Sequence, residues 1–83
     1  MRTIRFDGLD VEVIDAETPT ERSIEFSYVN DAGKQVRFAV AIPDDSGWSA
    51  ARFMIDPQGG DVSAAVAAEA IQVAREMVER DQG

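Results

Sequence analysis

Along most of the first two thirds of the chain, apolar and polar residues alternate. Ile4-Arg5-Phe6 is followed by Leu9-Asp10-Val11-Glu12-Val13, then by Ile24-Glu25-Phe26-Ser27-Tyr28 and by Val36-Arg37-Phe38-Ala39-Val40-Ala41-Ile42. Successive side chains of an extended strand point to opposite faces, so a period of two gathers one apolar row on one side. The pattern predicts strands over about 2–6, 9–15, 23–29 and 35–42, and a weaker alternation of Ala51, Phe53 and Ile55 predicts a fifth over about 49–55. From Val62 onwards the apolar spacing lengthens to the helical period. Val62, Val66, Val73 and Met77 fall on one side, Ala67, Ala70, Ile71, Ala74 and Val78 widen it, and Glu69, Gln72, Arg75, Glu76 and Glu79 lie opposite. A helix is predicted over about 62–80, capped by Asp61, with Glu76 spaced to pair with Arg80.

Turn chemistry sets how the strands pair. Asp7-Gly8 suits a two-residue type I′ turn, whose central residues both need positive φ. Phe6 then faces Leu9 and Ile4 faces Val11 on one side, while Arg5 faces Asp10 and Thr3 faces Glu12 on the other. Ala16 to Arg22, interrupted by Pro19, reads as a polar loop. Between the next two strands, a three-residue loop Asp31-Ala32-Gly33 places Gly33 at the left-handed position. Tyr28 then faces Val36, Phe26 faces Phe38 and Ile24 faces Val40. A four-residue loop would set Phe26 against Arg37 and bring charge into the apolar row. Pro43 ends the fourth strand, and Asp56-Pro57-Gln58-Gly59-Gly60 breaks the fifth. The expected fold class is α+β: an antiparallel meander of four to five strands with one C-terminal α-helix packed on one face. Residues 1–83 are read as a single domain.

Composition removes most enzyme mechanisms. The chain has no histidine, no cysteine and one lysine, Lys34, against sixteen Asp and Glu. The common proton shuttles, thiol nucleophiles, soft metal ligands and Schiff-base amines are therefore missing or reduced to a turn residue. Serine nucleophiles lack a base, and no Gly-x-Ser-x-Gly elbow exists. Paired carboxylates work as acid and base only where their environments separate their pKa values. Asp44-Asp45 sit in a loop beside Gly47, where nothing in the sequence sets their environments apart. Counted as a calcium loop from Asp44 or Asp56, position twelve is Ile55 or Ala67 instead of a bidentate Glu. Gly59-Gly60 precedes the helix, but Asp56 and Asp61 flank it and no Walker lysine follows. The expectation is a protein that is not an enzyme and has no catalytic, cofactor-binding or metal-binding residues.

Charge then narrows the partners. A formal net charge of −8 repels nucleic acid and anionic membranes, so no direct nucleic-acid or membrane partner is expected, and a partner selected by charge would be basic. No segment approaches the ~20 apolar residues of a membrane span. No apolar leader follows Met1 and no cysteine is present, so the expected location is cytoplasmic. So short a chain buries a small core, and a homodimer is one way to supplement it.

The face turned away from the helix remains for work. It is expected to carry Thr3, Arg5, Asp10, Glu12, Glu25, Ser27, Arg37 and Arg52, interleaved with Val29, Ala39, Ala41, Ala50 and Met54. Arg5, Arg37 and Arg52, aligned across strands, form the candidate interface with Met54 and the sole tryptophan, Trp48. A tryptophan at the end of a sheet more often seals a small core. The expected function is a protein–protein interaction or accessory module working through its open sheet face or an edge strand. The alternative is an acidic inhibitor of a nucleic-acid-handling protein. In size and charge the chain resembles anti-restriction and anti-CRISPR inhibitors, although no motif carries the likeness. Glu69, Glu76 and Glu79 are far sparser than the roughly one charge per 1.7 Å of duplex DNA. A mimic would also need Asp10, Glu12, Asp15, Glu17 and Glu21.

Overall fold

The computed structural model describes residues 2–82. Five strands, β1 (Arg2–Phe6), β2 (Leu9–Glu17), β3 (Glu21–Val29), β4 (Gln35–Pro43) and β5 (Arg52–Ile55), precede one helix, α1 (Ala64–Gln82). The strands form one antiparallel sheet whose spatial order, β1-β2-β3-β4-β5, is the chain order. The architecture is α+β, with α1 packed across one face. Among the described residues no helix is long and apolar enough to cross a membrane.

Both hairpins form through the anticipated turns. Asp7 and Gly8 adopt φ values of 52° and 81°, as a type I′ turn demands, and Phe6 pairs with Leu9. Gly33 has φ 78°, and the Asn30 Oδ1 accepts from the Ala32 and Lys34 N–H groups at 3.0 and 2.9 Å. This Asx turn closes a three-residue loop and sets Tyr28 opposite Val36, Phe26 opposite Phe38 and Ile24 opposite Val40. The Phe26 and Phe38 rings stack with centroids 5.2 Å apart. With Val11, Val13, Ile24 and Val36 they form the sheet side of the core; Val66, Ala70, Ala74, Met77 and Val78 supply the helix side.

Four local features differ from the alternation pattern, each for a nameable reason. First, β2 and β3 run on to Glu17 and from Glu21, so the link is reduced to Thr18-Pro19-Thr20. Thr18 makes the tight link workable: its N–H donates to the Glu21 carbonyl at 2.8 Å, and its Oγ1 accepts from the Glu21 N–H at 3.1 Å. Pro19 sits outside the ladder, where its missing N–H costs nothing. Second, β5 begins at Arg52, because Trp48–Ala50 coil into a single 3₁₀ turn. In that turn residues three apart share a side, so Trp48 and Ala51 both pack on the core; a strand would have sent them to opposite faces.

Third, α1 starts at Ala64, and its cap is Ser63 instead of Asp61. The Ser63 Oγ accepts from the Val66 N–H at 3.4 Å, and the Ser63 N–H donates to the Tyr28 hydroxyl at 3.0 Å. The buried tyrosine thus fastens the start of the helix to the sheet. Asp61 is exposed. Fourth, Glu76 accepts from Gln72 at 3.0 Å instead of pairing with Arg80, and the helical ion pair is Arg75–Glu79.

Ala70 and Ala74 are fully buried where the helix meets the sheet, so their size sets the spacing of the two layers. Replacing Ala70 with Leu is expected to overpack this seam and lower unfolding stability by about 1–3 kcal/mol in urea melts.

Candidate functional site

The register places the open face in cross-strand rows. Ile14, Glu25, Ala39 and Met54 make a central row across four strands. Thr3, Glu12, Ser27 and Arg37 make the next row on one side, and Ala16, Ser23, Ala41 and Arg52 the next on the other. Ala39 and Ala41 are small and largely covered, while Ile14 and Met54 stand up on either side at 42 % and 41 % exposure. The low Ala39, among taller side chains, helps hollow the face into an open groove of about 600 Å³, whose lining includes Glu12, Ile14, Glu25, Arg37, Ala39 and Met54.

The proposed interface residues do not converge as a set. Arg37, Met54 and Arg52 lie on β4 and β5 in three successive rows, with Met54 beside Ala39 and Arg52 beside Ala41. Arg5 lies on β1, separated from β4 by two intervening strands, and its Nη1 is spent on Asp10 at 3.0 Å. The three arginines therefore occupy three different rows, and the expected alignment does not occur. Their strand positions share a face, but their pairing partners belong to different registers. Arg52 donates to Glu21 at 3.2 Å, while Arg37 reaches Gln35 at 3.0 Å. Trp48 lies off this face altogether: it is half-buried against the core, beside Ala51, Phe53 and Ile71. Ala50, in the 3₁₀ turn, is not part of the sheet.

Two features escaped the pattern reading. Ile14 belongs to the open face, and its signal was present, since it follows the inward-facing Val13. The second is an ion cluster at the far end of the helix-covered face. Arg22 donates from Nε and Nη2 to the two Asp15 oxygens at 3.0 and 2.7 Å, and Nη2 also lies 2.7 Å from Asp81 Oδ2 at the end of α1. The Arg22 side chain is only 15 % exposed. Its hydrogen bonds hold the Asp15 carboxyl below the ordinary aspartate value, against the opposing effect of partial burial and with help from the Arg22 charge. The same bonds hold the guanidinium more firmly in its charged form. The cluster ties β2 and β3 to the last turn of the helix, where a cation also complements the helix dipole.

Chemically, the open face presents carboxylates, an arginine, serine hydroxyls and apolar side chains. Glu12, Glu25 and Arg37 make no salt bridge among the described residues, so their charges are free for a partner. Among the described residues no group of three or more acids is placed to hold a metal ion. No family model, no curated protein and no solved structure matches the chain.

Arg22→Met should lower stability at pH 7 by about 1–2 kcal/mol, since charged hydrogen bonds are worth ~1.5–3 kcal/mol and partial exposure discounts them. Asp15 has a lowered value in the folded state, so its contribution is complete above the unfolded value of about 3.9 and is lost as pH falls through the lowered one. Urea melts across pH should show a constant gap between wild type and variant near neutrality, closing below about pH 4.

Proposed function

We propose that the chain is a non-catalytic, cytosolic interaction module whose open sheet face receives an apolar segment of a basic protein partner. The observation that carries this reading is the central row, in which Ile14 and Met54 remain exposed at either end of Glu25 and the low Ala39, on a face that needs no apolar side chains for its own packing. Glu25 within that row and Glu12 in the next, neither in a salt bridge among the described residues, favour a cationic neighbour, and the net charge of −8 steers in the same direction. The missing histidine and cysteine support a binding role over a chemical one.

An acidic decoy of nucleic acid draws less support. Asp10, Asp15 and Glu21 are each engaged by an arginine of the same chain, which breaks up the phosphate-like array such a decoy needs.

Affinity capture from the native host, with wild type beside an Ile14→Lys/Glu25→Lys variant, tests the docking face. Both positions are exposed, so circular dichroism should be unchanged while the co-eluting partner is lost. Equal recovery of the partner by the folded variant excludes the face. Retention of the partner as salt is raised from about 0.1 to 0.5 M identifies an apolar contact; steep loss identifies the decoy.

A further inference from the structure

We infer that β5 is a self-complementary edge, through which two copies of this chain pair antiparallel into one continuous ten-stranded sheet. The inference rests on the backbone of the strand whose Met54, Ile55 and Asp56 also line the groove, and not on the reading of that groove as a docking site. Among the described residues β5 has β4 on one side and no strand on the other. All four of its residues are exposed. Of the six large apolar side chains that stand exposed among the described residues, Phe53, Met54 and Ile55 lie on this strand, and Ile71 borders it across a small cleft. The opposite edge, β1, is guarded differently, with Arg2 and Arg5 in its five residues.

The backbone decides which registers are open. The Asp56 N–H donates to the Arg37 carbonyl at 3.0 Å, which makes Arg37–Asp56 a hydrogen-bonded pair of the β4–β5 ladder. Such pairs alternate in an antiparallel ladder. Arg52, Met54 and Asp56 therefore direct their N–H and C=O groups inward to β4, and Phe53 and Ile55 direct theirs outward. Only outward residues can bond a second β5, so the allowed two-fold registers centre on Phe53, Met54 or Ile55. Centred on Phe53, Ile55 meets Ala51, whose N–H is already committed to the Trp48 carbonyl at 2.9 Å. Centred on Ile55, Phe53 meets Pro57, which has no N–H to give. Centred on Met54, Phe53 meets Ile55 of the second copy, and the two outward residues on each strand satisfy one another with four backbone bonds.

Side chains favour the same register. On the helix side, Phe53 packs on Ile55 of the other copy twice over, with Ile71 alongside. On the open side, Met54 meets Met54 at the axis, flanked on each side by Arg52, which also pairs with Glu21 of its own copy at 3.2 Å, opposite Asp56, whose Oδ1 also accepts from the Gln58 N–H at 3.0 Å. The run Arg52-Phe53-Met54-Ile55-Asp56 is thus a cation, three apolar residues and an anion, and it is complementary to itself when reversed. Both helices lie on the same face of the joined sheet, and both grooves open on the other.

The chain contains no cysteine, which gives a clean test. Met54 on the axis lies between two hydrogen-bonded pairs, where opposing Cα atoms approach to ~4.5 Å, within disulfide reach. Met54→Cys, at about 10 μM and 0.15 M salt under mild oxidant, should cross-link on the order of a hundredfold faster than Val29→Cys, an exposed apolar site off the edge, because pairing raises the local thiol concentration to roughly millimolar. In sedimentation equilibrium the wild type should approach twice the 9.0 kDa chain mass. Ile55→Pro removes an outward donor and no β4 bond, so it should sediment as a folded monomer. Equal cross-linking at positions 54 and 29, a monomeric wild type at several hundred micromolar, or a natively folded Ile55→Pro dimer would each overturn the proposal.

Discussion

The pairing of β3 with β4 is the constraint on which the rest of the molecule hangs. It is set at the Asn30–Lys34 turn, where Gly33 alone bears the left-handed backbone and the Asn30 side chain holds two loop N–H groups. From that turn the register runs without interruption to Glu21 opposite Pro43. A slip of one residue would leave Ile24, Phe26 and Tyr28 on the helix side and turn Val36, Phe38 and Val40 to the solvent face, with Arg37 brought beneath the helix beside Phe26. No later contact could repair that, because α1 has an apolar seam cut for these side chains.

Given the register, the two faces of the sheet take distinct characters. The helix side is dry and closed at both ends by polar links between sheet and helix: Tyr28 to Ser63 at one, Arg22 to Asp15 and Asp81 at the other. These directional contacts orient α1 along the strands, which an apolar seam of alanines and valines alone would not do. The open side has neither a roof nor a continuous ionic lattice. Its arginines are distributed over separate rows, two of them already occupied by acids of the same chain. What remains at its centre is a shallow groove in which Ile14, Ala39 and Met54 share a row with Glu25.

Much of this was legible in the sequence where local chemistry and periodicity agree. Asp7-Gly8 and Gly33 are backbone demands that few other residues meet, so the hairpins and their registers could be read directly. Legibility failed where a short-range preference competed with a tertiary one. Pro19 and its polar neighbours look like a long loop, but Thr18 supplies the bonds that let two strands meet across three residues. Asp61 and Ser63 are both good caps, and the choice between them rests on Tyr28, which is distant in sequence. Trp48 breaks the period of two because the core takes it and Ala51 together. On the open face, Ile14 was recoverable from parity alone. The dispersal of Arg5, Arg37 and Arg52 was not, since it depends on the cumulative offset of four strand pairings.

Strand order that follows chain order has a kinetic corollary. Each ladder closes a short stretch of chain, so the entropic cost of assembly is met in small steps and the sheet can zip from either tight turn. The helix, by contrast, is useful only once four strands exist beneath it. Synthesis from the N-terminus delivers it last, which leaves the oily underside of a completed sheet waiting for its cover, and this interval is when the nascent chain is most exposed to misassociation.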